Sequence, residues 1–198
     1  MDRPVRRRLH PEARKREIVE AAERLLLAHG PGVRVEDVVQ EAGVAKGTFF
    51  LYFPSWDDLL IAIRDRLVAE FDAAYPLPTE AEGPIDWPVV IEWLAAAYID
   101  FAAARQGIGR ALFHSDFTER RPPAENGVTR LAAVIRAGQE AGAFAPVDPD
   151  PMARLMFAAM DEAGRAVAGG DDRNATLTAL QTLLRRALAP DVPRRTEP

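Results

Sequence analysis

The chain has 198 residues and a mass of 21.8 kDa, enough for one medium domain or a small domain joined to a larger one. Nearly half of it is hydrophobic and it contains no cysteine, which excludes disulfides, thiolate metal sites and cysteine nucleophiles and fits a reducing compartment. The formal charge is −5, yet the first 16 residues carry seven arginines and lysines against Asp2 and Glu12, so a basic head precedes a strongly acidic body.

Arg6, Arg7 and Arg8 open the chain with no apolar segment behind them. The longest apolar stretches further on are broken by Asp, Glu or Arg before the roughly 18 residues of a membrane span. A cytoplasmic chain with no membrane partner is expected. The arginine arm reads either as a solvated tail or as a segment that meets phosphate. In "PEARKREIVEAAERLLLAHG" Ile18, Ala22, Leu25 and Leu26 stand at i, i+4, i+7 and i+8, with Pro11 suited to the first turn and Gly30 to the end; this is an amphipathic helix. A short helix follows, with Val35, Val38, Val39 and Ala42 on one face and a stop at Gly43. A third runs from about Ala45 to Phe53 and ends at Pro54; a fourth opens at "SWDD", where Ser55 and Asp58 have capping-box spacing, and continues to about Phe71.

The Pro, Gly and Glu punctuation of "YPLPTEAEGP" at 75–84 is the best boundary. Beyond it the helical period returns over about 87–104, 107–117, 126–141, 150–168 and 174–188, and nowhere is there strand alternation between hairpin turns. The expected fold is all-α with about nine helices. Its divisions are a basic arm at 1–10, a three-helix reading domain at 11–54, a connecting helix at 55–74, a helical-bundle domain at 75–188 and a frayed tail at 189–198.

The segment 87–117 is apolar nearly all round, which suggests a central, buried position. Aromatics and methionines in such a bundle can line a pocket for a small, largely apolar molecule; the candidates are Trp93, Tyr98, Phe101, Phe113, His114, Phe117, Met156 and Met160, with Asp100, His114 and Asp116 as possible polar anchors. Met152, Leu155, Met156, Ala159 and Ala163 line one face of the penultimate helix, and Leu177, Leu180, Leu184 and Leu188 run down the last. These stripes read either as a surface for a second copy or as an intramolecular core. His10, His29 and His114 have no ligand spacing, so no metal is expected. With no nucleophile elbow, phosphate loop or clustered carboxylate pair, neither catalytic residues nor a cofactor is expected.

Two short helices joined by a glycine-containing turn form a helix-turn-helix, whose second helix enters the major groove of double-stranded DNA. "VAKGTFFLYF" begins with the small residues Ala45, Gly47 and Thr48 and carries Lys46 at its leading end. The longer stretch "VEDVVQEAGVAKGTFFLYFPSWDDLL" resembles the DNA-binding signature of the TetR family of transcriptional regulators, through Asp37, Ala42, Gly43, Val44, Gly47, Thr48, Tyr52, Phe53 and Leu59. "IVEAAERLLLAHG" is similar to that family's first helix. The resemblance implies that Thr48 bonds a phosphate, Lys46 reaches a phosphate or base edge, Tyr52 touches the backbone or a thymine methyl, and Phe49 and Phe53 pack inward.

The DNA-facing set it implies is Arg34, Val44, Ala45, Lys46, Thr48, Phe50, Tyr52 and Trp56, joined by Arg6, Arg7 and Arg8. Several members depart from the pattern: Phe50 replaces a tyrosine, Trp56 a lysine, Arg34 a threonine cap and Ala45 a serine. The resemblance further implies a homodimer built on the last two helices, with Leu155, Ala159, Ala163, Leu177, Leu180, Leu184 and Leu188 at the interface. It implies a repressor that holds a palindromic operator and is released by a small-molecule effector. The contrasting expectation is a dimeric helical protein that binds a small molecule and has weak or lost DNA binding.

Overall fold

The computed structural model describes residues 10–79, 81, 83–113 and 127–190. Within them the chain forms α1 (Pro11–His29), a 3-10 turn (Gly30–Gly32), α2 (Val35–Glu41), α3 (Lys46–Tyr52), α4 (Trp56–Ala74), α5 (Trp87–Ala104), α6 (Gln106–Phe113), α7 (Gly127–Glu140), α8 (Pro149–Ala168) and α9 (Arg173–Leu188). No strand occurs among the described residues. The all-α expectation holds, and helix ends fall within a residue or two of the glycine and proline punctuation. Arg6, Arg7, Arg8, His114, Asp116 and Phe117 lie outside the described residues.

The described residues divide into two units. The first takes α1 to α3, α4 as far as Leu67, and α6 from Gly107; the second takes the remainder of α4, then α5, α7, α8 and α9. In the first, Ile18, Ala22 and Leu26 of α1, Val38 of α2, Phe49 of α3 and Leu59, Leu60 and Ile63 of α4 close a core. Gly43, at φ 60, ends α2 because only glycine takes that left-handed conformation without penalty. The Val44 amide then donates to the Val39 carbonyl at 2.9 Å and the Gly43 amide to Gln40 at 3.1 Å, a closure that fixes the turn into α3.

α6 falls in the first unit rather than in the 75–188 segment where the sequence placed it. Ile108, Ala111 and Leu112 are part of the first core. Gly107 lies so close to the backbone of Leu26 and Leu27 that a Cβ would collide with both carbonyl oxygens.

The second core joins one face of α5 (Val90, Ile91, Leu94, Ile99) to α7, α8 and α9. Asp86, Asp148 and Asp172 cap α5, α8 and α9 by accepting backbone N–H bonds at 3.2, 3.2 and 2.7 Å. α5 is long and apolar enough, by length and composition, to cross a membrane. Here it is a bundle helix: its core face is buried, its Glu92 pairs with Arg185 at 2.6 Å, and its Asp100 with Arg173 at 2.6 Å. Nor is it buried all round, because Val89 and Trp93 on its other side remain 56% and 39% exposed.

Candidate nucleic-acid interface

The residues expected to face DNA cluster on the first turns of α2 and α3. Arg34 precedes α2 and is exposed. Its side chain makes no cap, and Asp37 compensates by accepting from the Arg34 backbone N–H at 2.8 Å. α3 follows Ala45, which offers no side-chain cap either. The helix turns one edge inward, where Phe49 is fully buried against Phe53 with ring centroids 5.8 Å apart. Burying that edge sets the rotation of the whole helix: Gly47 falls opposite it and is exposed, Thr48 is half-buried at the flank, and Ala45 and Lys46 stand exposed at the open start of the helix.

The aromatic departures are placed differently from one another. Phe50 is 42% exposed and sets its ring edge-on to Phe49 at 5.3 Å. Trp56, Tyr52 and Val44 are half-buried and pack against the first core, so Trp56 covers the start of α4, whose capping box is completed by Ser55 and Asp58 at 2.9 and 3.1 Å. Leu51, 78% exposed, also faces outward, and no period in the sequence separates it from its aromatic neighbours. Lys46 donates to Glu36 at 2.5 Å. That bond holds the Glu36 carboxyl below its ordinary range, with the charges of Lys46 and Arg34 adding to the effect.

Beside this surface a groove of about 710 Å³ runs between α1, the end of α3 and α4. Lys15, Arg16 and Arg66 line it together with Tyr52, Phe53 and three carboxylates, Glu12, Asp58 and Asp65; the Lys15 ammonium stands 5.8 Å from the centre of the Phe53 ring.

The residues expected at the small-molecule pocket are only partly brought together. In the second unit Trp93 meets Tyr75 edge-on at 5.8 Å, Tyr75 meets Phe71 at 4.9 Å, and Phe71 touches Tyr98 and Phe101 at 6.1 and 5.2 Å. Tyr98 continues the chain of rings to Phe157 at 5.0 Å. The guanidinium of Arg105 lies over Phe101 at 3.8 Å and that of Arg130 over Phe71 at 5.5 Å. The Tyr98 hydroxyl donates to Asp161 at 3.3 Å; burial pushes its pKa up, and the Asp161 carboxylate adds to the rise. Met156 and Met160 are buried in the second core, and Phe113 ends α6 in the first unit. Asp100, a possible polar anchor, accepts from Arg173 through both oxygens at 2.6 Å; the hydrogen bond from Arg173 keeps the Asp100 carboxyl below its usual range.

Of the residues expected at an interface, Ala163, Leu180, Leu184 and Leu188 are buried in the chain's own second core. Leu177 and Ala159 are half-buried against that core. Leu155 alone of the set is open, at 70% exposure, and Leu183, missed by the sequence reading, joins it at 54%.

Residues 18–63 match the family described as bacterial regulatory proteins, tetR family, and residues 96–190 match a tetracyclin repressor-like C-terminal domain. The chain belongs to the TetR family of transcriptional regulators. EthR, an HTH-type transcriptional regulator of Mycobacterium tuberculosis, is 41% identical over 54 residues, which are 27% of this chain and 24% of EthR. The chain thus matches about a quarter of the length of the curated relatives. A TetR-family regulator from Shewanella sp. PV-4 superimposes with a TM-score of 0.67 at 25% identity, over 89% of this chain and 98% of that one. A transcriptional regulator from Saccharomonospora viridis, solved in complex with choline, gives 0.64 at 22% identity over 91% and 99%. These are regulators of transcription rather than enzymes. In this TetR-family chain α2, the turn and α3 fall within the matched residues 18–63.

Proposed function

We propose that this chain is a ligand-responsive repressor that binds a palindromic operator as a homodimer in the cytoplasm and is released by a small, largely apolar effector. The observation that carries the reading is the anchoring of α3: Phe49 and Phe53 are buried, which leaves the helix start open with Lys46 and Gly47 exposed and Thr48 half-buried beside them. Small residues at a helix start let its backbone approach phosphate, and a cation there reaches phosphate or a base edge. One such helix reads few base pairs, so a dimer with two half-sites is the natural reader. The open side of α8 and α9 at Leu155 and Leu183 supports that assembly. On the effector side, six linked rings with Asp161 beside Tyr98 offer stacking, cation–π and one acceptor. Choline in the Saccharomonospora viridis regulator makes quaternary ammonium compounds the first class to try.

Selection of binding sequences from a random duplex pool, followed by a gel shift, tests the proposal. Enrichment of an inverted repeat supports it, and absence of any enriched sequence at low salt overturns it. A dimeric small-molecule binder with lost DNA binding is the second reading. It is favoured by Phe50, which presents no hydroxyl, and by Trp56, which is packed against the core rather than offered as a charge.

A further inference from the structure

The front of the first unit carries a carboxylate where a DNA reader ordinarily gains from cations alone. Glu36, in the first turn of α2, and Lys46, at the start of α3, face each other across the turn and pair at 2.5 Å with their side chains 62% and 58% exposed. An exposed ion pair of this kind contributes little to folding. Its consequence for nucleic acid is larger. Sequence-independent DNA binding is driven by cations that replace counterions along the phosphates. A lysine already neutralised by a carboxylate releases no counterion until that bond is broken, and the carboxylate left behind repels the phosphates. A base edge that accepts two hydrogen bonds, such as guanine O6 and N7, offers Lys46 more than a single phosphate oxygen does.

We propose that Glu36 is a specificity-determining residue: by holding Lys46 it suppresses the phosphate-driven part of DNA binding, so that full affinity is reached only on sequences giving Lys46 a better acceptor. This rests on the DNA-reading function proposed above.

The test uses the full chain, a random-sequence 30-base-pair duplex and a duplex selected by the protein, with binding followed by fluorescence anisotropy between 50 and 200 mM salt. Glu36→Gln keeps the shape and removes the charge. It is expected to bind the random duplex more tightly and to steepen the salt dependence by about 0.9 logarithmic units per decade, so the advantage over the parent changes roughly 3.5-fold across that range. The ratio of selected to random affinity falls in the same variant. In a Lys46→Met background the same substitution steepens the slope by much less, because only the carboxylate's repulsion is removed and no cation is freed. An unchanged slope in Glu36→Gln, an unchanged affinity ratio, or a steepening as large without Lys46 as with it overturns this proposal while leaving the DNA-reading function in place. Failure of the parent protein to bind any duplex overturns that function itself.

Discussion

The two units close their polar groups in different ways. In the second, α5, α8 and α9 each begin on an aspartate that accepts a backbone N–H, and Arg173, Arg185, Arg105 and Arg130 each reach an acid on another helix. In the first, α1 and α3 start without any side-chain cap. The cation at the tip of α3 is held only by its near neighbour Glu36. Three helix starts of the second unit are therefore answered by side chains of its own. The first unit has interhelical pairs too, Arg24 with Glu41 and Arg66 with Glu20, and a capping box on α4; what sets it apart is that the starts of α1 and α3 leave their N–H groups without a side-chain partner.

The largest expected effect breaks the first unit outright. Phe49→Ala removes a fully buried ring with two aromatic neighbours and is expected to cost about 3–5 kcal/mol. Chemical denaturation followed by circular dichroism measures it, and a loss under 1 kcal/mol would show that α3 is not anchored there. In the second unit, adjacent leucines separate core from surface. Leu184→Ala should destabilise the fold by about 2–5 kcal/mol, whereas Leu183→Asp should leave the protomer folded and shift sedimentation velocity from dimer towards monomer. Equal effects at the two positions would contradict the orientation of α9.

Tyr98→Phe removes only a hydroxyl bonded to Asp161 and is expected to cost about 0.5–1.5 kcal/mol, read by thermal melting. Asp100→Asn has the smallest effect and a defined pH dependence. Because the folded carboxyl is held below its ordinary 3.8, the ion pair contributes above about that pH and its contribution is lost as pH falls through the lower folded value. The stability gap between parent and variant is therefore expected to be constant near neutrality and to close in strong acid; a gap that widens there would reverse the assignment.

The helices were legible because their boundaries carry chemistry that sequence displays: Gly43 for a left-handed turn, Pro54 for a stop, Ser55 and Asp58 for a capping box. The inward turn of Phe49 and Phe53, which the family resemblance implied, is what the structure shows. Three things were not legible. The pairing of Glu36 with Lys46 crosses a turn at a spacing of ten, which no helical period marks. α6 joined the first core because Gly107 permits backbone contact with α1, and a glycine in a sequence does not say what it touches. On α8 and α9 two apolar stripes lie side by side, and periodicity alone does not say which faces the core; Leu184 and Leu183 differ by one position and by the whole width of that choice.

The open positions on α8 and α9 have a practical consequence when set beside the composition. Because the chain contains no cysteine, a single thiol introduced at Leu155 or Leu183 would be the only one in the molecule. A fluorophore or spin label attached there would report from that face alone, with no background from other sites. Distances between two such labels in an assembled pair would then give the arrangement of α8 and α9 about the symmetry axis directly, in solution and with or without DNA.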